Sequence, residues 1–273
     1  MASSGKKVRN REGRMSLGAH LVELRKRLYI IAVAIAVATV AGWFLGEPLL
    51  NLMKMPIEEI ARSQHRIATL NYDSVASAFD LRIQIAFTIG LILASPVWLY
   101  QVFAYFMPAM TRKELKYVFG FFFAAVPLFI AGVLVGWYVY PRVVEVMTSI
   151  APPDSASIIT AKTYFDFVLK LVVVIGIAFV MPVFLVALNF AGVISGKSIL
   201  KSWRWAILLI VIFTAMATPA ADVLSMILLA GPMVLLYFGA AAIGLLHDKR
   251  ATRRRTQEFL EDSTPVPLDD LMR

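Results

Sequence analysis

The residues most able to recognise a charged partner stand in one stretch, Ser16-Leu17-Gly18-Ala19-His20-Leu21-Val22-Glu23-Leu24-Arg25-Lys26-Arg27-Leu28. Leu17, Leu21, Leu24 and Leu28 recur at helical spacing, so a helix would carry them as one stripe, with His20, Glu23, Lys26 and Arg27 largely off it. Ser16 is placed to cap that helix. A basic amphipathic helix leading into an apolar run lies along a membrane surface before entering it. Glu23 is the exception, because lipid binding alone asks only for Lys and Arg. It either pairs within the helix with Lys26 or Arg27, worth roughly 0.2–0.5 kcal/mol, or serves a ligand.

Glu114 is the second carboxylate among cations, flanked by Arg112, Lys113 and Lys116. Three residues after Thr111, it is equally placed to close a capping box on the helix that follows. Asp166 and Lys170 are four apart, in the favourable order for a structural ion pair. As ionisable residues in an apolar segment they are also functional candidates. Asp222 either caps the last apolar helix or faces a partner.

Other motifs point away from catalysis. Gly192-Val193-Ile194-Ser195-Gly196-Lys197-Ser198 ends like a phosphate loop. A phosphate cradle, however, needs a strand before it and an acidic strand end to hold Mg²⁺, and here an apolar helix precedes the loop. Gly132 and Gly136 read as a close helix contact. The chain has no Cys and only three His, which are far apart in sequence. It therefore has no disulfide framework, thiolate nucleophile or Cys-based metal site, and no Gly-x-Ser-x-Gly elbow supports hydrolysis.

The elements that must position these residues are apolar. With 59% apolar and 16% charged residues, the chain is not an ordinary soluble domain. Six segments stand out: Leu28 to Leu45, Phe79 to Phe106 around Pro96, Tyr117 to Tyr140, Phe165 to Phe190 around Pro182, Trp205 to Ala217, and Val223 to Leu246. The first should stop at Gly46-Glu47-Pro48. A spanning helix needs about 20 apolar residues, about 30 Å. Five segments reach that and the fifth does not, which predicts a locally thinned bilayer or polar flanks drawn inward.

The net charge of +9 does not indicate nucleic acid, because the cations cluster at the termini and in two short loops. They lie before Leu28, at Arg112 to Lys116, at Lys197 to Arg204 and after His247, which by the positive-inside rule puts both termini in the cytoplasm. The N-terminal polar stretch is too long for a secretory signal, and more spans follow. Residues 1–14 read as a flexible basic cytoplasmic arm, 15–247 as the transmembrane unit and 248–273 as a disordered cytoplasmic tail. Leu49, Leu52, Met53, Ile57 and Ile60 predict short interfacial helices in the first outer loop. The second outer loop, with Pro152-Pro153-Asp154, should pack against the first as a cap. The fold class is an all-α integral membrane protein of six transmembrane helices with short helices in an extracytoplasmic cap.

His20-Leu21-x-Glu23-Leu24-Arg25-x-Arg27-Leu28 before a first span resembles the start of the TatC family, the receptor subunits of the twin-arginine protein translocase. A second cluster on the same membrane face, Leu99-Tyr100-Gln101-Val102-Phe103-Ala104-Tyr105-Phe106-Met107-Pro108-Ala109-Met110, also resembles a TatC motif. The likeness runs over about residues 15 to 247 and includes the proline-interrupted fourth span and the short fifth.

The resemblance implies a receptor and translocase core that binds Arg-Arg signal peptides of folded precursors at the cytoplasmic face. It implies use of the protonmotive force, with no cofactor and no enzymatic activity. Glu23 and Glu114 match the acidic residues that receive the two arginines, Arg25, His20 and Leu21 belong to the same motif, and Tyr105 matches the aromatic position before Pro108. Met216 and Asp222 match positions where the single-span partners TatA and TatB are placed. The other implied partners are membrane lipid and further copies of the chain within a receptor complex, without nucleic acid.

Two positions depart from the family pattern. Val180 stands where many relatives carry Glu or Gln, and Pro219-Ala220-Ala221-Asp222 replaces Thr-Pro-Pro-Asp. A secondary transporter of a small solute is the alternative reading. It lacks a clear inverted repeat and a midplane cluster of broken helices.

Overall fold

The computed structural model describes residues 17–63, 68–106, 115–149, 157–217 and 223–262. Its elements are α1 (Leu17–Ser63), β1 (Ala68–Asn71), α2 (Val75–Leu93), α3 (Ser95–Phe106), α4 (Leu115–Ser149), β2 (Ser157–Thr160), α5 (Ala161–Phe190), α6 (Gly196–Lys201), α7 (Trp203–Ala217) and α8 (Val223–Asp262). Among the described residues, five helical segments are long and apolar enough to cross a membrane. They are His20–Glu59, Ala76–Leu93, Gly120–Glu145, Ala161–Phe190 and Leu229–Arg253, with Trp203–Met216 apolar but shorter. The molecule is thus a multi-spanning helical membrane protein. The expected basic arm, Ser16, Glu114, Pro152 to Asp154, Asp222 and the tail beyond residue 262 lie outside the described residues.

α5 is the centre. Beyond Lys170 it carries no charged residue, and it packs on α2, α4 and α8. On the α4 side, a Cβ at Gly132 would lie 2.9 Å from the Gly176 Cα, and one at Gly136 would lie 2.9 Å from the Val172 Cα. The Gly-x-x-x-Gly pattern therefore serves close backbone approach, as small residues do between membrane helices. One core cluster joins Met53, Ile57, Leu81, Ile85, Val143, Phe165 and Val168. A second joins Leu99, Phe103, Ala125, Phe129, Val180 and Val183. Val180 thus fills apolar space where a polar side chain would need a partner.

Four boundaries differ from the sequence expectation, one of them α4, which runs past Tyr140 through Pro141 to Ser149. α1 does not stop at Gly46-Glu47-Pro48 but runs on through Pro48 and Pro56 to Ser63, so the separate short helices expected there are its continuation. Each proline removes a backbone donor and crowds the carbonyl four residues before it, at a cost of about 3 kcal/mol that the surrounding packing must offset. Burial of Met53 and Ile57 and a bond from the Tyr164 hydroxyl to the Met53 carbonyl (2.8 Å) hold the far half in place.

The second segment breaks at Ala94 into α2 and α3. Pro96 falls in the first turn of α3, where its missing N–H costs least. The Trp98 indole N–H spans the break to the Leu91 carbonyl at 3.0 Å. The last helix continues to Asp262, so residues 248–262, expected to be disordered, are helical.

The cap expected between the outer loops is a two-stranded parallel ribbon, with Ala68 opposite Ser157 and Asn71 opposite Thr160. Among the described residues it is the one exception to an all-helical description. Ile158, Ile159 and Thr160 favour extended structure, but four residues give too short a pattern to read in sequence. The ribbon sits where α1 and α4 end and where α2 and α5 begin. The start of α1 and the ends of α3 and α5 therefore lie at the opposite end of the bundle.

Candidate functional site

At that opposite end, the first turns of α1 meet the last turns of α3. Glu23 and Arg27 are one turn apart on α1, and Gln101 and Tyr105 one turn apart on α3. The Arg27 guanidinium donates to Glu23 Oε1 from Nε (3.1 Å) and from Nη2 (2.5 Å), and from Nη1 to Gln101 Oε1 (3.0 Å). The His20 ring stacks on Tyr105, with centroids 4.4 Å apart and planes at 28°. The two helices thus meet through two rungs, Arg27 with Gln101 and His20 with Tyr105.

The polar face, rather than the leucine stripe, makes this contact. Leu21 is 63% exposed and Leu28 is also exposed, whereas the Arg27 and Glu23 side chains are only 20% and 22% exposed. The leucines lie on a helix, as expected, with Leu21 and Leu28 on its exposed surface and Leu24 half-buried. Arg25 and Lys26 are exposed. The local excess of cations around Glu23 is therefore only partly consumed inside the contact.

Glu23 does form the intrahelical pair that its spacing allows, with Arg27 rather than Lys26. That does not exhaust its chemistry. Both bonds fall on Oε1, and an ionised carboxylate has about four lone-pair sites on two oxygens. Sequence reasoning did not single out Arg27 or Gln101 as site residues. Four-residue spacing pointed to the Glu23–Arg27 pair, but nothing local linked either to Gln101. His20, Glu23 and Tyr105 come together. Glu114 lies outside the described residues. Met216 on α7 is 83% exposed and stands apart from this site.

The remaining polar groups have structural roles. Near the ribbon, Lys162 bonds Asp80 at 3.0 Å, and Asp166 accepts from both Lys170 and Gln84. These contacts tie α5 to α2. In the segment with the phosphate-loop pattern, the Ser195 hydroxyl accepts from the Ser198 N–H at 3.1 Å and caps α6. A Cβ on Gly196 would come within 2.4 Å of the Leu245 backbone N. Asp248 of α8 accepts from the Gly196 N–H (2.6 Å) and from Asn189 Nδ2 (3.0 Å). Gly196 and Ser198 are thus explained by helix docking and capping. Among the described residues, no group of three or more His, Asp or Glu could hold a metal ion.

A family model described as Sec-independent protein translocase protein (TatC) matches residues 19–232. The TatC protein of Xylanimonas cellulosilytica is 43% identical over 253 residues, covering 93% of this chain and 91% of the relative. That of Rothia mucilaginosa is 40% identical and covers 93% and 88%. Bacillus subtilis TatCy is 32% identical and covers 93% and 97%. Two crystal structures of a twin-arginine translocase receptor TatC, one of them in the detergent DDM, are each 29% identical to the chain. They superpose with TM-scores of 0.68 and 0.70, covering 83% and 82% of this chain and 98% and 99% of theirs.

Proposed function

The chain belongs to the TatC family of Sec-independent protein translocase proteins, and from that premise we propose that Glu23 is one of two carboxylates that receive the paired arginines of a signal peptide. The protein is the receptor and core subunit of the twin-arginine translocase. It binds signal peptides and aids translocation, and it is a transport component rather than an enzyme. This replaces the solute-transporter alternative.

One observation carries the assignment to Glu23. Its half-buried carboxylate is already engaged by a guanidinium, that of Arg27, which α3 steadies through Gln101. The surroundings of Glu23 therefore accept this cation. An incoming arginine can bond Oε2 beside Arg27 or take its place. Arginine offers a planar fork of parallel donors, whereas lysine offers a point charge without the fork. In our reading Glu114 supplies the second carboxylate, and His20, Leu21, Arg25 and Tyr105 line the approach.

Six spans with both termini in the cytoplasm would present this end of the bundle to precursors before export. The distribution of Lys and Arg supports that orientation. The exposed Met216, together with Asp222, is our candidate contact for TatA- and TatB-type single-span subunits. Transport would draw on the protonmotive force.

Peptide binding to the purified protein at two salt concentrations tests the site. Glu23→Gln and Glu114→Gln should each weaken an Arg-Arg peptide by about tenfold or more, since hydrogen bonds to charged groups contribute about 1.5–3 kcal/mol. They should also narrow its advantage over a Lys-Lys peptide. Wild-type affinity in both variants would make these carboxylates structural and place the site elsewhere.

A further inference from the structure

A second cluster of cations, away from the α1–α3 contact, surrounds apolar surface rather than a carboxylate. α6 is short, but it is held firmly against α8. The Tyr237 hydroxyl donates to the Ile199 carbonyl, and Ile199, Tyr237 and Ala241 are buried together. So held, α6 presents Lys197 and Lys201 one turn apart, both exposed. Arg204 follows at the start of α7, its guanidinium 5.5 Å from the centre of the Trp203 ring. Lys197, Leu200, Lys201, Trp203, Arg204 and Phe238 line an open-sided cavity of about 840 Å³. No acidic side chain is among these lining residues. Asp248, which lines the neighbouring cavity, is engaged by Gly196 and Asn189.

We propose that this α6–α7–α8 cavity is a binding site for an anionic phospholipid. The phosphodiester would sit among Lys197, Lys201 and Arg204, and an acyl chain would run over Leu200 and Phe238. A ligand for this surface must be anionic at one end and apolar at the other. A free phosphate would use the cations but leave Leu200 and Phe238 uncovered. The cavity also opens where α7 begins its apolar run and Trp203 and Trp205 are exposed, and exposed tryptophans mark the membrane–water boundary. Basic pockets between membrane helices at that depth hold lipid headgroups. None of these residues belongs to the α1–α3 site, so the inference stands independently of the signal-peptide assignment.

Native mass spectrometry of the full chain released from detergent, titrated with phosphatidylglycerol or phosphatidylcholine, tests it. The wild type should retain phosphatidylglycerol preferentially. Each cation removed should lower that retention by about fivefold, and Lys197→Ala/Lys201→Ala/Arg204→Ala should lower it by on the order of a hundredfold. Lys197→Arg/Lys201→Arg should keep it, and Lys249→Ala/Arg253→Ala in the neighbouring cavity should change it less than twofold. If the triple variant does not stay monodisperse, Lys201→Ala and Arg204→Ala singly give the same reading. An unchanged preference in the alanine variants would overturn the proposal. So would an equal loss in the neighbouring-cavity variant, or equal competition by free glycerol 3-phosphate at the same concentration.

Discussion

The contact between α1 and α3 and the contact between α2 and α5 are both built from charged residues one helical turn apart, yet they are balanced differently. Near the ribbon, Asp80 faces Lys162, and Asp166 takes Lys170 from its own helix and Gln84 from its neighbour. Each acid meets a base. Lys162 and Asp80 are 51% and 56% exposed, so water screens what they exchange. At the other end, Glu23 is a single acid beside Arg25, Lys26 and Arg27, and its pair with Arg27 is mostly covered. A balanced, exposed ladder fastens two helices and has nothing left to offer. A lone, partly covered carboxylate with cations to spare can exchange one guanidinium for another. Local charge balance, rather than the number of ion pairs, separates a fastening from a binding site.

Labelling of engineered cysteines gives the largest expected effect, because it is all or none and the chain has no Cys of its own. Ser63→Cys, at the ribbon end of α1, should react with an impermeant thiol reagent in intact cells, and Ser198→Cys should not. Reaction at residue 198 from outside would put the α1–α3 contact on the wrong side of the membrane for a receptor of precursors.

Next in size is the contrast between Glu23→Gln and Asp166→Asn in peptide binding. The first should cost about tenfold or more, and the second should stay within about twofold of wild type. If Asp166→Asn weakened binding equally, the distinction between the two contacts would collapse.

Gln101→Ala removes one of the three Arg27 bonds and leaves Glu23 intact. A net loss of about 0.5–1.5 kcal/mol in stability is expected. Peptide binding should shift severalfold in either direction, according to whether Arg27 competes with the ligand or shares the carboxylate. Peptide affinity identical to wild type would remove Gln101 from the site. The smallest effect belongs to Lys162→Gln, since an exposed ion pair contributes roughly 0–1 kcal/mol. A detergent melting experiment showing a larger loss would mean that the ladder bears more of the α2–α5 packing than its exposure implies.

Much of this architecture is legible in the chain because helices are local. Apolar runs of sufficient length mark the spans, four-residue spacing offers Glu23 a partner in Arg27 and Asp166 one in Lys170, and two glycines in α4 signal a close neighbour. The pair of family motifs was legible too, including the residues that α1 and α3 bring together. Local spacing, however, could not say which face of α1 is covered. The leucine stripe was read as facing a membrane surface, and the structure adds that His20, Glu23 and Arg27 meet Gln101 and Tyr105 of α3.

The same limit explains the other differences. Arg27 and Gln101 are 74 residues apart, and the ribbon register joins segments separated by three helices. Pro48 and Pro56 end a helix only if nothing holds its far half, and here Met53 and Ile57 are held by core from α2 and α5. The preceding apolar helix already spoke against a phosphate loop at Gly196-Lys197-Ser198, but only the structure shows α8 so close that a Cβ on Gly196 would lie 2.4 Å from the Leu245 N. Spacing along one helix sets what can share a face. Which face meets which is decided by packing among all the helices at once, and that information is spread over residues far apart in the chain.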